Sequence, residues 1–341
     1  MKGKAAPIRQ KEHRGGTGIF HQPRCRKTGC KRRACAPDPG QLQLPQPQIV
    51  VTQYAGQARE AARQYAASGT PVALYACGGD GTLNELVQGA AGSANVAVGC
   101  VPCGSGNDYV RNFGAAGQAP FLDFAAQLQA QPCRVDLLQT SLGIGIDICA
   151  AGLDAQVAYG IPKFRRLPGC GGTAAYTLSI LQAMLSRFGH KLRVAIDGKG
   201  YTGTYMMAAI CNGGYYGGGY QAAPYAAMDD GLLDIVLVKP ISRIQVAGIL
   251  AKYKAGRHMQ DADTIVPEFR SFMTFYRARS VEMQVLDNRP IIATIDGECA
   301  PVMELKAEVL PSALNVLLPR PACGSAVIRG LYECPMQAKA K

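Results

Sequence analysis

Between Tyr75 and Glu85 the chain reads Tyr-Ala-Cys-Gly-Gly-Asp-Gly-Thr-Leu-Asn-Glu. An apolar stretch from Pro71 to Cys77 predicts a strand, and Thr82 to Gly89 predicts a helix. The turn between them is all glycine apart from Asp80. Glycine permits positive φ and close backbone approach. The N–H groups that open a helix then point at whatever lies beyond the strand end, which favours an anion such as phosphate. Thr82 with Glu85 also fits a capping box, a purely structural reading. That reading leaves Asp80 unexplained. An acid beside bound phosphates calls for a cation between them, so Mg²⁺ is implied.

A second turn repeats the logic. Val96 to Pro102 reads as a strand, followed by Cys103-Gly104-Ser105-Gly106-Asn107-Asp108. In a parallel sheet both turns open on one edge, where ligands bind. Neither is a Walker A loop, a protein-kinase catalytic loop or a dinucleotide fingerprint. Ser105 lacks the surroundings of a hydrolase nucleophile.

The pattern divides the chain. Ile49 to Thr52 reads as a strand and Gly56 to Ser68 as a helix. With the strands and helices above, this predicts a parallel, helix-covered sheet. From Asp136 on, short strands dominate: Ile144–Cys149, Lys191–Ile196, Thr202–Cys211, Leu232–Val238, Phe272–Ala278, Val281–Val285, Ile291–Asp296 and Leu314–Leu318. Two helices interrupt them, Ala174–Arg187 and Ile244–Lys254. A β-sandwich is expected there. The predicted units are 1–47, a disordered basic segment; 48–137, a nucleotide-binding α/β domain; 138–319, a β-sandwich; and 320–341, a tail.

Charge does not redirect this reading. The net charge is +12. Residues 1–45 hold eleven Lys/Arg and two acids, or +9, so the body is nearly neutral. The arm reads as a solvated tail, and no nucleic-acid partner is expected. The thirteen cysteines are odd in number and unevenly spaced, which predicts reduced thiols. Cys25, Cys30 and Cys35 lack the tight pairing of a zinc knuckle. No apolar run reaches membrane-spanning length, so a cytoplasmic protein is expected.

Six motifs in order resemble the bacterial diacylglycerol kinase catalytic family, which also includes sphingosine and ceramide kinases. They are Gly-Gly-Asp-Gly-Thr-Leu-Asn-Glu at 78–85, Pro-x-Gly-Ser-Gly-Asn-Asp at 102–108 and Ala-Gly-Leu-Asp-Ala at 151–155. Asn-Gly-Gly-Tyr-Tyr-Gly-Gly-Gly follows at 212–219, then Ala-Pro-x-Ala-x-Met-Asp-Asp-Gly-Leu-Leu-Asp at 223–234 and Ile-Asp-Gly-Glu at 295–298. The resemblance implies a Rossmann-like nucleotide domain, a β-sandwich lipid domain and a cleft between them. It implies an ATP-dependent kinase acting on diacylglycerol or a related lipid alcohol, with Mg²⁺ and peripheral contact with the cytoplasmic membrane surface. A homodimer stays open. Thr52, Gly79, Asp80, Gly81, Thr82, Leu83, Asn84, Glu85 and Ser105 match family positions around ATP. Asp80 matches the acid that works with the catalytic Mg²⁺, Asp108 an active-site acid, and Glu298 the general base. Asp230 and Asp136, with the carbonyls of Ala227 and Leu232, match a structural Mg²⁺ site.

Two further features bear on the lipid side. Lys163, Arg165 and Arg166 read as a basic loop, suited either to an anionic surface or to plain solvation. Leu178, Ile180, Leu181, Met184 and Leu185 read as the core face of an amphipathic helix. One departure stands out. Family members begin with a strand and an Asn-Pro-x-x-Gly-like loop, and residues 1–45 read as offering neither. Gly15-Gly16-Thr17-Gly18 and Gln22-Pro23 are poor substitutes, and a start read out of frame would explain the change at 49. A non-catalytic nucleotide binder and an NAD kinase-like enzyme are the alternatives.

Overall fold

The computed structural model describes residues 16–21, 48–114, 118–167, 172–186 and 188–319. The expectations for Cys25, Cys30, Cys35 and the 320–341 tail lie outside these residues. In chain order the elements are β1 (Gly16–His21), β2 (Gln48–Val51), α1 (Gln57–Ser68), β3 (Val72–Gly78), α2 (Asp80–Ala90), β4 (Val96–Pro102), α3 (Ala119–Leu122) and α4 (Phe124–Leu128). Then come β5 (Gln131–Thr140), β6 (Gly143–Gly145), β7 (Ile148–Gly152), α5 (Leu153–Arg165), α6 (Gly172–Leu185), β8 (His190–Ile196), β9 (Lys199–Tyr205) and β10 (Met207–Cys211). The remainder is β11 (Tyr215–Tyr216), β12 (Tyr220–Gln221), β13 (Leu233–Val238), α7 (Arg243–Lys254), β14 (Met273–Ala278), β15 (Ser280–Val285), β16 (Ile291–Ile295), β17 (Glu298–Val302) and β18 (Glu304–Leu318).

Strands β2, β1, β3 and β4 lie side by side and parallel. In register, Val51 pairs with His21, His21 with Cys77, and Cys77 with Val101, so all four strands end on one edge. Strand β1 corrects the sequence reading. Residues 16–21 are neither disordered nor missing from the sheet; they sit between β2 and β3. Only Ile19 and Phe20 are strongly apolar there, and Gly16 and Gly18 carry weak strand propensity, so the segment reads as loop on composition alone. Its main chain pairs on both sides, and that ladder holds it.

Helices α1 and α2 cover this sheet. Ala58, Ala61, Ala62, Leu83, Leu86 and Val87 are buried against Leu74, Ala76, Val96 and Val98. The chain then leaves for the second half and returns. Strand β18 runs antiparallel to β15 and β5, and its Asn315 and Val316 pair in parallel with β4. Leu314, Val316 and Leu318 therefore belong to the first core, and a single cut near 137 does not separate two independent units.

The second half packs a six-stranded antiparallel sheet, β14-β13-β10-β7-β16-β17, against the β15-β8-β9 end of the large sheet. The outer face of the six-stranded sheet is covered by a third core that includes Val246 and Tyr253 of α7. Helix α5 is an addition to the sequence reading. Gly160 and Pro162 inside it argue against a helix by propensity. The packing explains Gly160: a Cβ there would overlap the Ser179 hydroxyl of α6.

Candidate functional site

The two glycine turns meet. A Cβ on Gly79 would lie 3.2 Å from Gly104 Cα, and one on Gly104 would overlap Gly79 Cα. A Cβ on Gly106 would lie 2.7 Å from Asp80 Oδ2. Here glycine serves close approach; neither turn uses positive φ at a glycine. Asp80 locks the contact. Asn107 N–H donates to its Oδ2 at 2.9 Å and Asp108 N–H to its Oδ1 at 2.9 Å. Burial raises the Asp80 carboxyl above its usual range, and those amides oppose the rise.

Helix α2 starts at Asp80 with Gly79 as its N-cap and no side-chain cap. Thr82 is thus inside the first turn, and the predicted capping box is not formed. Glu85 instead accepts from Gly56 N–H at 2.9 Å and Ala58 N–H at 3.1 Å, holding the start of α1. The Thr82 hydroxyl is buried without a hydrogen-bond partner. Gly81 is exposed, with open space where a side chain would be. In the first turn, Thr82 N–H donates to Gly79 O at 3.0 Å, and the N–H groups before it have no i−4 carbonyl within the helix. Ser105 is exposed on the second turn, and buried Thr52 follows β2 on the same edge.

The opposite wall comes from the sandwich. Gly217, Gly218 and Gly219 all have positive φ, and Gly218 N–H donates to Asp108 Oδ2 at 2.9 Å. The triplet therefore supports the Asp108 carboxylate. Burial pushes the Asp108 carboxyl up to about 6, and Asp80 adds to the rise. The Gly218 amide and Arg111 oppose it. Asn112 bridges next to it, donating to Asp147 Oδ1 at 2.9 Å and accepting from Gly214 N–H at 2.7 Å.

Asp296 is a site residue that sequence reasoning misses. Its Oδ2 accepts from Ile146 N–H at 2.7 Å and Asn84 Nδ2 at 3.1 Å. Its Oδ1 accepts from Asp147 N–H at 3.1 Å and Ile148 N–H at 3.0 Å. Asn84 belongs to the first glycine motif, so Asp296 ties α2 to the sandwich. Its left-handed backbone (φ 44°) and that of Gly297 (φ 94°) turn the chain into β17, whose first residue is the exposed Glu298. The available signal is the Asp-Gly pair itself, which by local pattern says only hairpin turn. Burial raises the Asp147 carboxyl well above normal, and Asp296, Asp80 and Asp108 each push it further. Four acids from both halves are therefore close enough for three of them to act on the fourth, Asp147.

The other expected ligand set is built differently. Asp136 Oδ2 accepts from Gly231 N–H at 2.7 Å and Oδ1 from Ser312 N–H at 2.6 Å. Asp230 Oδ1 accepts from Leu232 N–H at 3.1 Å, and Arg277 pairs with Oδ2. Arg277 also bonds Asp234 at 3.1 Å. Asp136, in β5, is a neighbour of Asp230, whose loop also carries Ala227 and Leu232. Arg277 meets part of their charge, while burial and the neighbouring Asp230 and Asp229 hold the Asp136 carboxyl above its usual range.

Residues 39–140 match the diacylglycerol kinase catalytic domain, and residues 147–318 match the YegS C-terminal NAD kinase beta sandwich-like domain. The chain belongs to the YegS-like and diacylglycerol kinase family of lipid kinases. The "Probable lipid kinase YegS-like" protein of Shewanella frigidimarina is 30% identical over 251 residues, 72% of this chain and 76% of that one. The Bacillus subtilis diacylglycerol kinase is 24% identical over 270 residues, 79% of this chain and 84% of its own. A diacylglycerol kinase crystal structure from Bacillus anthracis has the same fold, with TM-score 0.63 and 17% identity over 89% of this chain and 97% of that one.

Proposed function

We propose that this lipid kinase transfers the γ-phosphoryl group of ATP to the hydroxyl of diacylglycerol or a related lipid alcohol, using Mg²⁺. The observation that carries the reading is the contact of two glycine turns on one sheet edge, with Asp80 between them and Asp108, Asp147 and Asp296 around it. Phosphoryl transfer needs alignment and charge neutralisation more than covalent help.

In this reading the first turn of α2, Thr82 and Ser105 hold the phosphates, and Thr52 borders the nucleotide. Asp80 and Asp108 hold Mg²⁺, which when bound offsets the phosphate charge. Glu298 takes the proton as the lipid oxygen bonds to γ-phosphorus and the bond to ADP breaks. Asp296 positions Glu298 relative to α2. The strand at Gly16–His21 supports a catalytic reading over a non-catalytic relative, while the loop expected after it lies outside the described residues.

The test is radiolabelled ATP and Mg²⁺ with a lipid panel. Labelled lipid phosphate is the expected product. Label passing to NAD alone, or ATP binding with no transfer to any lipid, would overturn the reading. No helix among the described residues is long and apolar enough to cross a membrane.

A further inference from the structure

Helix α6 departs in part from the sequence expectation: Leu178, Ile180 and Met184 are half-buried, whereas Leu181 and Leu185 are exposed. Its buried residues are small: Ala175, Ser179 and Ala183. They face α5, where the Ser179 hydroxyl donates to Val157 O and the Ser186 hydroxyl donates to Gln156 Oε1 at 3.0 Å. Leu181 and Leu185, one turn apart, point to solvent with 55% and 72% exposure. The start of α7 lies beside them. The Arg243 guanidinium donates to Met184 O at 2.6 Å and Ser186 O at 3.1 Å, and covers the Phe188 ring at 5.1 Å. The next residue, Ile244, is 86% exposed. Along α7, Val246 and Tyr253 are the buried positions, while Ala247, Gly248 and Ala251 continue the exposed stripe from Ile244.

Charge names the occupant. From Ala155 to Ile196 the chain has no acid, and the same is true from Ile235 to Gln260. Within those stretches Lys163, Arg165, Arg166, Arg243, Lys254 and Arg257 are exposed. A protein partner of either charge would tolerate mixed signs. Exposed Glu268 pairs with Lys252 of α7 at 2.7 Å, but the exposed charge of these stretches is basic, and basic charge together with exposed leucine and isoleucine side chains fits an anionic lipid bilayer.

The placement also fits an acceptor that lives in a bilayer, and in this respect the inference rests on the lipid-kinase reading. Tyr176, toward the other end of α6, packs against Tyr220 at 6.4 Å. Tyr220 borders the glycine triplet that bonds Asp108. Nine residues of helix separate Tyr176 from Leu185, roughly 14 Å at 1.5 Å per residue. We infer that Leu181, Leu185 and Ile244, together with the exposed basic residues of α5 and α7, seat the chain on an anionic bilayer beside the cleft.

The experiment is flotation of the full chain with phosphatidylcholine vesicles, with and without phosphatidylglycerol. The wild type is expected to float with the anionic vesicles, less so at high salt. Leu181→Glu, Leu185→Glu and Ile244→Glu together should weaken that binding by at least about tenfold, since carboxylates replace inserted side chains on an anionic surface. The chain has no tryptophan, so Leu185→Trp gives a single reporter that keeps the site apolar. Its emission should shift to the blue on adding anionic vesicles. Unchanged flotation of the triple variant, or indole emission from the Leu185→Trp protein that is indifferent to vesicles, would overturn the inference. A wild-type dimer that the triple variant splits, with vesicle binding unaltered, would assign the face to a second copy instead. Flotation needs no turnover. A chain that floats as expected but phosphorylates no lipid would sink the kinase reading and leave this surface standing.

Discussion

Two groups of carboxylates lie in this fold, and they differ in what meets their charge. Asp230 and Asp234 share the Arg277 guanidinium, and backbone N–H groups serve Asp136 beside them. Asp80 and Asp296 accept from amides, Asp108 has Arg111 at 3.4 Å, and Asp147 is raised by burial and then by Asp296, Asp80 and Asp108. Both groups crowd acids together, since after burial Asp230 also raises Asp136 and Asp234. The second group has the smaller cationic cover, and the proposed kinase reading puts Mg²⁺ there.

The largest expected effect tests that contrast at the cleft. Asp80→Ala and Glu298→Ala should each lower phosphoryl transfer by on the order of a thousandfold or more. Asp80→Ala should also lower the melting temperature, because it frees the Asn107 and Asp108 amides; Glu298→Ala, at an exposed position, should not. Equal melting shifts would mean the two acids do not differ as the structure implies.

Next in size is Asp296→Ala, which strips the acceptor from three backbone amides and Asn84. A loss of about 2–4 kcal/mol in denaturant unfolding is expected, with activity falling in parallel. Arg277→Ala should cost about 2–3 kcal/mol by leaving Asp230 and Asp234 uncompensated. Mg²⁺ should then restore part of the melting temperature, while the wild type should gain its Mg²⁺ response through Asp80 and Asp108. A wild-type response abolished by Asp136→Asn and untouched by Asp108→Asn would reverse the comparison.

A smaller effect concerns pH. Burial pushes the Asp154 carboxyl up to about 7, against an ordinary 3.8. Between those values the folded chain holds a proton the unfolded chain has lost. Stability is therefore greatest below the unfolded value and declines as pH rises toward 7, by at most about 4 kcal/mol from this group. Asp154→Asn should flatten that slope in unfolding measurements across the same range. Smallest of all is Thr82→Val. Removing an unpartnered buried hydroxyl should leave stability within about 0.5 kcal/mol, while ATP affinity drops several-fold if that hydroxyl meets phosphate.

Sequence periodicity carries the strand-to-helix turns, the parallel sheet and the change to short antiparallel strands, because each is written in local spacing. What it misses depends on distant partners. Strand β1 is held by ladders on both sides rather than by its own side chains. Helix α5 survives Gly160 and Pro162 because α6 lies close against it. Helix α6 shows which residues share a face, but periodicity does not say whether that face meets core or solvent; the tight α5 contact selects its small side. Glu85 has the spacing of half a capping box for its own helix and instead holds the start of α1. Asp147 and Asp296 lie far along the chain from Asp80, and nothing local marks them as neighbours.

The position of β1 has a practical corollary for anyone shortening this chain. A fragment begun at Gln48, the first residue of β2, would omit the strand that joins β2 to β3. Thr52 and the lead into α1 would then hang from a severed sheet margin, and the exposed β3 ladder would invite pairing with other molecules. Expression trials that trim the basic leader should therefore stop short of Gly16.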